Sequence, residues 1–394
     1  MKLKRLPEDF RVVELSDFPA TGGPFACYRL TKTGLGTPEA IAAIQRRWQL
    51  PSDRIAYGGL KDRHAVTTQF VTIYQGPPRG LEQQHLRLEY LGPAARPFQP
   101  SDIRANQFAL ALRDFGPEQT SAIVARIEQA TRDGVANYFD EQRFGSLGTS
   151  GEFIARAWCA GDWERTLWLA LAEANRHDTP RIAQLKELLR ARWGDWRGIL
   201  AQLPRSGSHV EQRLARVIEH LAARPSDFRG AIAKIDPQQR GLYLASFQSF
   251  LWNRMLAALL RATCRPEQLA AVEIGPDRLP FFGSLDDAQR GALTEAQLPL
   301  PSARLHLEPG PTADLIQATL ADAGIELRQL RVKYPRDSFF AKGERRVVVR
   351  PAELRFAWEA DELHPQRQKL LLDFELPRGS YATILVKRLT ELDN

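Results

Sequence analysis

The sequence predicts an α+β protein: a mixed, mostly antiparallel sheet with flanking helices, and a long helical stretch between the two strand-bearing ends of the chain. Three observations predict it. Toward the start, Ala65 to Tyr74 is rich in β-branched and aromatic residues (Val66, Thr67, Thr68, Phe70, Val71, Ile73), and Gln107 to Arg113 alternates with Phe108, Leu110 and Leu112 on one side. From about Trp163 the pattern changes to helix after helix. At the end alternation returns, with Leu370, Leu372, Phe374 and Leu376 along Lys369 to Leu376.

The remaining elements follow in order. Phe10 to Leu15 and Cys27 to Lys32 read as short strands joined by the turn-rich Phe18 to Pro24. Thr37-Pro38-Glu39 then opens a helix: Thr37 can cap it, Pro38 suits its first turn, and Ile41, Ile44 and Trp48 share a face. Gly58 and Gly59 mark a turn or a close approach to another group. Ala122 to Thr131 is a helix with Ile123, Val124 and Ile127 inward and Gly134 beyond its end. Asp162, Thr179-Pro180, Ser208 and Asp236-Pro237 each open a further helix. Ile274 to Leu307, rich in Gly and Pro, reads as loop with short strands, Leu315 to Ala323 as a helix, and Ile384, Leu385 and Leu389 belong to a closing helix.

A chain of 394 residues, 43% hydrophobic and 26% charged, can bury a full core and divide into two domains. Its 54 Lys plus Arg against 47 Asp plus Glu leave a charge of +7, which favours a polyanionic partner. Cys27, Cys159 and Cys264 are too few and too far apart for a disulfide framework or a Cys-x-x-Cys site, and a reducing, cytoplasmic setting fits them. The seven histidines form no zinc-ligand spacing, so no metal is expected. No apolar run is long enough for a membrane span, and the basic Met1 to Arg5 leads into Pro7-Glu8-Asp9-Phe10 without the apolar core of an export signal.

Chemistry concentrates in Tyr57 to Gln69, where Asp62 stands between Lys61 and Arg63, with His64 next. Positive neighbours favour the ionised carboxylate, which suits a nucleophile or a base. A solvated turn with a local ion pair is the alternative, and spacing does not choose between them. Arg331 to Arg350 mixes Arg331, Lys333, Arg336, Lys342, Arg345, Arg346 and Arg350 with Tyr334, Phe339 and Phe340, a composition that suits either an RNA backbone or a solvated face.

The stretch Tyr-Gly-Gly-Leu-Lys-Asp-Arg-His-Ala-Val-Thr-Thr-Gln resembles the signature of the tRNA pseudouridine synthase D family, in which the aspartate of Gly-x-Lys-Asp-Lys/Arg-x-Ala-Val-Thr-x-Gln is catalytic; the resemblance assigns that role to Asp62. Further blocks match in family order. Pro7-Glu8-Asp9-Phe10 is similar to the N-terminal motif whose phenylalanine contacts the target base, which points to Phe10, and Lys4 is similar to a basic position near the active site. Arg104 to Phe108 matches the Gly-Asn-x-Phe strand with Ala105 in place of glycine. Asn137 to Gly145 resembles the Asn-Tyr-Phe-Gly-x-Gln-Arg-Phe-Gly block, with Asp140 for a glycine, and implies that Asn137 contacts the substrate and Phe139 lies close to the base. An amide can read a pyrimidine edge, a ring can stack on it, and Arg143 can meet a phosphate. Tyr243 to Asn253 resembles a family helix, and Pro377 to Thr383 matches Leu-Pro-x-Gly-Ser-Tyr/Phe-Ala-Thr, so that Tyr381 would line the uridine pocket. For Phe10, Phe139 and Tyr381 the competing reading is core packing.

The resemblance implies a pseudouridine synthase catalytic domain in two segments, 1–162 and 350–394, broken by a family-specific insertion domain, 163–349. It implies isomerisation of a flipped-out uridine in tRNA, with uridine 13 the usual target; the sequence shows no cofactor motif, and no cofactor, metal, membrane or obligate protein partner is expected. A non-catalytic RNA-binding or RNA-chaperone protein on the same scaffold is the alternative. A methyltransferase reading of Thr33-Gly34-Leu35-Gly36-Thr37 is weaker, since that glycine spacing is too short for a nucleotide loop.

Overall fold

A computed structural model describes residues 4–204 and 208–392. Of the basic start, only Lys4 and Arg5 are therefore seen. The chain folds as two compact units, one made of the residues up to Val135 together with Val349–Glu391, the other of Ala136–Val348.

Among the described residues of the first unit, nine strands form one sheet: β1 (Phe10–Leu15), β2 (Phe25–Thr33), β3 (Ile55–Tyr57), β4 (Val66–Tyr74), β5 (Leu81–Gln83), β6 (Leu86–Ala94), β7 (Ala105–Phe115), β8 (Ala352–Ala360) and β9 (Gln368–Pro377). Their order is β8-β9-β7-β1-β4-β2-β6-β5, with β3 on the edge of β4 that β1 leaves free. Every pairing is antiparallel except β1 with β4, whose register sets Arg11 opposite Val66. Alternation puts Tyr28, Leu30, Val71, Ile73 and Leu88 on one face, where the helix Thr37–Trp48 covers them with Ala40, Ile41 and Ile44. Leu110, Leu112, Leu370, Leu372 and Phe374 are buried in the same unit as the helices Thr120–Asp133 and Ala382–Thr390.

The second unit is mainly helical, built around Pro237–Thr263, whose N-terminus Asp236 caps by accepting from the backbone N–H groups of Gln238 and Gln239. The expected domain boundary at 162/163 differs from the unit boundary at 135/136. Residues 136–162 pack with the second unit because the Asn253 side chain on the long helix accepts from the Phe139 N–H (2.8 Å) and donates to the Phe139 carbonyl (2.9 Å), while the Tyr138 hydroxyl donates to the Pro280 carbonyl (2.8 Å).

Three local readings change. Thr37 does not cap its helix: Gly36 occupies that position, its N–H bonded to Glu39 (2.8 Å), and Thr37 is fully buried. Within 274–307 lies a helix, Asp287–Glu295, announced by the reciprocal Asp286 and Gln289 cap. Ala105, standing where the family has glycine, simply begins β7.

Candidate active site

The parallel register of β1 and β4 explains how distant residues meet. Parallel neighbours leave the sheet at the same end, so the chain before Phe10 and the chain before Val66 run side by side. Asp62 and Lys4, 58 positions apart, form an ion pair, and the Lys4 ammonium lies 3.9 Å from the centroid of the Phe10 ring. His64 Nε2 is 2.9 Å from the Lys4 carbonyl and donates to it. The structure thus brings together Asp62, Lys4 and Phe10.

The cations beside Asp62 in sequence point elsewhere. Arg63 pairs with Glu39 (3.3 Å), and Lys61 Nζ reaches inward to Asn106 Oδ1 (2.6 Å) and Glu14 Oε1 (3.1 Å). Glu14 lies fully buried on β1, its other oxygen accepting from the Phe70 N–H (2.9 Å). Burial pushes its carboxyl pKa upward, against the pull of Lys61 and that N–H.

The loop itself is fastened from below. β3 pairs with β4 at the level of Val71, so the chain from Gly58 to Ala65 must run back along the sheet to enter β4 at Val66. On the way the buried Thr37 hydroxyl accepts from the Lys61 N–H (2.9 Å) and donates to Gln69 Oε1 (2.8 Å), and Gln69 Nε2 donates to the Gly59 carbonyl (3.1 Å). Lys32 Nζ donates to the Asp62 carbonyl (2.8 Å). Gly58 serves a close approach, since a Cβ there would lie 2.6 Å from Ile103 Cδ1 and 2.8 Å from Phe98 Cε1; Gly59 faces open space. The result is a carboxylate about one-third exposed (32%) on a rigid seat.

Glu14, Lys32, Thr37 and Gln69 were not singled out as site residues from the sequence. The signal was there for one of them: β2 alternates Tyr28, Leu30, Lys32 inward, which places a lysine where an apolar residue belongs.

Phe10 is buried, edge-on to Phe108 with centroids 6.2 Å apart, so it is a core residue as well as the ring beneath Lys4. Tyr381 is half-buried and immediately precedes the helix Ala382–Thr390, after the left-handed Gly379 (φ 85°). Asn137, Phe139 and Arg143 belong to the second unit. Asn137 Oδ1 accepts from Arg345 (2.6 Å) and its Nδ2 donates to the Arg346 carbonyl (2.9 Å). Phe139 is 8% exposed, edge-on to Trp252 and covered by the Arg345 guanidinium at 4.3 Å, the packing that its core reading describes. Arg143 is exposed, 5.6 Å above the Phe139 ring. Part of the basic stretch is likewise structural, Arg345 through Asn137 and Asp337 through Arg240 (2.8 Å), whereas Lys333, Arg336, Lys342 and the 68%-exposed Phe339 face outward. Among the described residues no group of three or more His, Cys, Asp or Glu could hold a metal ion, and no helix is long and apolar enough to cross a membrane.

Comparison with known proteins places these features in context. The model of the family "tRNA pseudouridine synthase D (TruD)" matches residues 1–389. The chain is 29% identical to a probable tRNA pseudouridine synthase D 2 of Methanocaldococcus jannaschii, over 98% of this chain and 91% of that one. It is 26% identical to the tRNA pseudouridine synthase D of Aquifex aeolicus, over 99% and 98%. The crystal structure of a putative tRNA pseudouridine synthase D from Methanosarcina mazei shares the fold, with a TM-score of 0.71 at 22% identity over 99% of this chain and 93% of that one.

Proposed function

The chain belongs to the tRNA pseudouridine synthase D family and is an isomerase of uridine in tRNA; we propose that Asp62 is its catalytic carboxylate and uridine 13 its target. The reaction breaks the N1–C1′ bond, turns the freed uracil and joins C5 to C1′, and the proton lost from C5 ends on N1. Atoms and charge balance without a co-reactant. Two roles suit one carboxylate: attack on C1′, with uracil leaving as the N1 anion, or removal of the ribose 2′ proton, with the base leaving from C1′. A primary isotope effect with 2′-deuterated uridine separates them.

The observation that carries this reading is the Asp62 seat. Asp62 is paired with Lys4, whose ammonium lies over the Phe10 ring, on a loop tied to buried side chains, as a group must be if it is to meet a sugar carbon repeatedly in one geometry. Water must be kept from the same carbon, or hydrolysis would replace isomerisation. Under this reading Phe10 and Tyr381 meet the extruded base and Lys4 answers its charge. Asn137 and Phe139 enter as substrate contacts through the resemblance, Arg143 as a side chain able to meet a phosphate, and Lys333, Arg336, Lys342 and Phe339 offer a surface for RNA phosphates and bases. The free thiols Cys27, Cys159 and Cys264 suit work in the reducing cytoplasm.

The test is Asp62→Ala. The purified variant is expected to bind tRNA within about threefold of the parent and to form no pseudouridine; turnover by it would refute the assignment. Chemical mapping of pseudouridine in tRNA from cells lacking the protein is expected to show the loss at position 13.

A further inference from the structure

Lys32 is 1% exposed, at the inward end of β2. Burying an ammonium is expensive unless its donors are used. Here all three have acceptors: Nζ lies 2.6 Å from the Leu35 carbonyl, 2.8 Å from that of Asp62 and 3.4 Å from that of Lys61. The last two acceptors are distinctive. They belong to the peptide groups on either side of the Asp62 α-carbon, and because peptide groups are planar, holding both restrains the two torsions that aim the Asp62 side chain. Thr37 adds a bond to the Lys61 N–H, within the peptide group before that one. Lys4, by contrast, touches the carboxylate itself.

We propose that Lys32 is a positioning residue: its ammonium aims the Asp62 carboxylate by clamping the backbone carbonyls of Lys61 and Asp62. This rests on Asp62 being the catalytic acid. Among the described residues, the charged groups that act on Lys32 are Asp62 and Lys61 on the loop and Glu39 on the helix Thr37–Trp48. Burial draws the Lys32 pKa down to about 8, a drop that Asp62 and Glu39 oppose and Lys61 assists. A neutral amine keeps two N–H donors for three carbonyls and donates more weakly, so the clamp slackens as pH rises through that value.

The test compares the full-length parent with Lys32→Met and Lys32→Ala on intact tRNA. Expected are a fall in kcat of about 10- to 100-fold with tRNA affinity held within about threefold. The parent is expected to lose kcat as pH rises through about 8, and the variants to lack that alkaline limb. Methylammonium or ethylammonium added to Lys32→Ala is expected to restore part of kcat. Unchanged kcat in Lys32→Met overturns the proposal, as does a reduced kcat that keeps the alkaline limb and ignores added amine. Should neither variant fold, the parent decides: no alkaline limb in kcat, or one shared by tRNA affinity, overturns it. Asp62→Ala run alongside separates the two readings, because an inactive Asp62→Ala beside a fully active Lys32→Met removes the clamp alone.

Discussion

At Asp62 an ion pair is made by Lys4, remote in sequence, whereas the side chains of Lys61, Arg63 and His64 each reach a partner of their own. The two glycines before Asp62 divide similarly. Gly58→Ala would drive a methyl group against Ile103 and the buried ring of Phe98, which stacks on Phe70 with centroids 5.4 Å apart and has little room to move. A destabilisation of about 1–3 kcal/mol is expected, measured by urea unfolding, with kcat down about tenfold as the loop shifts. Gly59→Ala meets open space at an ordinary backbone angle and is expected to stay within about 0.5 kcal/mol of the parent. Equal effects of the two would contradict this account of the loop.

At the scale of elements, the β1–β4 parallel pair delivers the acid, and a buried ion network braces the strand beside it. Arg113 on β7 binds Asp9 (2.8 Å), which ends the turn entering β1, and also Asp361 and Glu362 (2.9 Å each) in the turn between β8 and β9. Asp361 is fully enclosed. Burial raises its pKa, but the N–H groups of Leu363 and Asp114 together with His364 and Arg113 outweigh that and bring it from 3.8 down to about 2. The unfolded chain therefore binds the extra proton between those values, so this contribution is complete above about 3.8 and disappears as pH falls through about 2. Asp361→Asn is expected to cost about 3 kcal/mol at pH 7, leaving Arg113 short of a buried partner. Urea unfolding from pH 5 down to pH 3 should show a shallower loss in the variant than in the parent; parallel curves would remove Asp361 from the network.

For the whole molecule, a +7 chain acting on tRNA is expected to bind through phosphates, with log affinity falling linearly in log salt. Replacing Lys333, Arg336 and Lys342 together by alanine should lower that slope by about 0.7–0.9 for each phosphate contact removed; a slope unchanged by the triple replacement would take that surface out of the RNA footprint. The alternation of β7 and β9, the β-branched and aromatic run of β4, the short strand β1, the caps at Asp162, Thr179, Ser208 and Asp236, and the signature around Asp62 were all legible in the sequence, because composition, periodicity, capping and a contiguous motif are local properties. β8 was not, since an edge strand exposed on much of both faces has no apolar period to read. Nor was the unit boundary at 135/136, which depends on Asn253 seizing the Phe139 backbone from 114 positions away. By itself, then, the order of residues settled the fold class and the family, and it pointed to the acid that we propose. Which cation meets that acid, which glycine is crowded, and which buried lysine grips the loop were decided by strand register and side-chain enclosure, which exist only once remote segments pack.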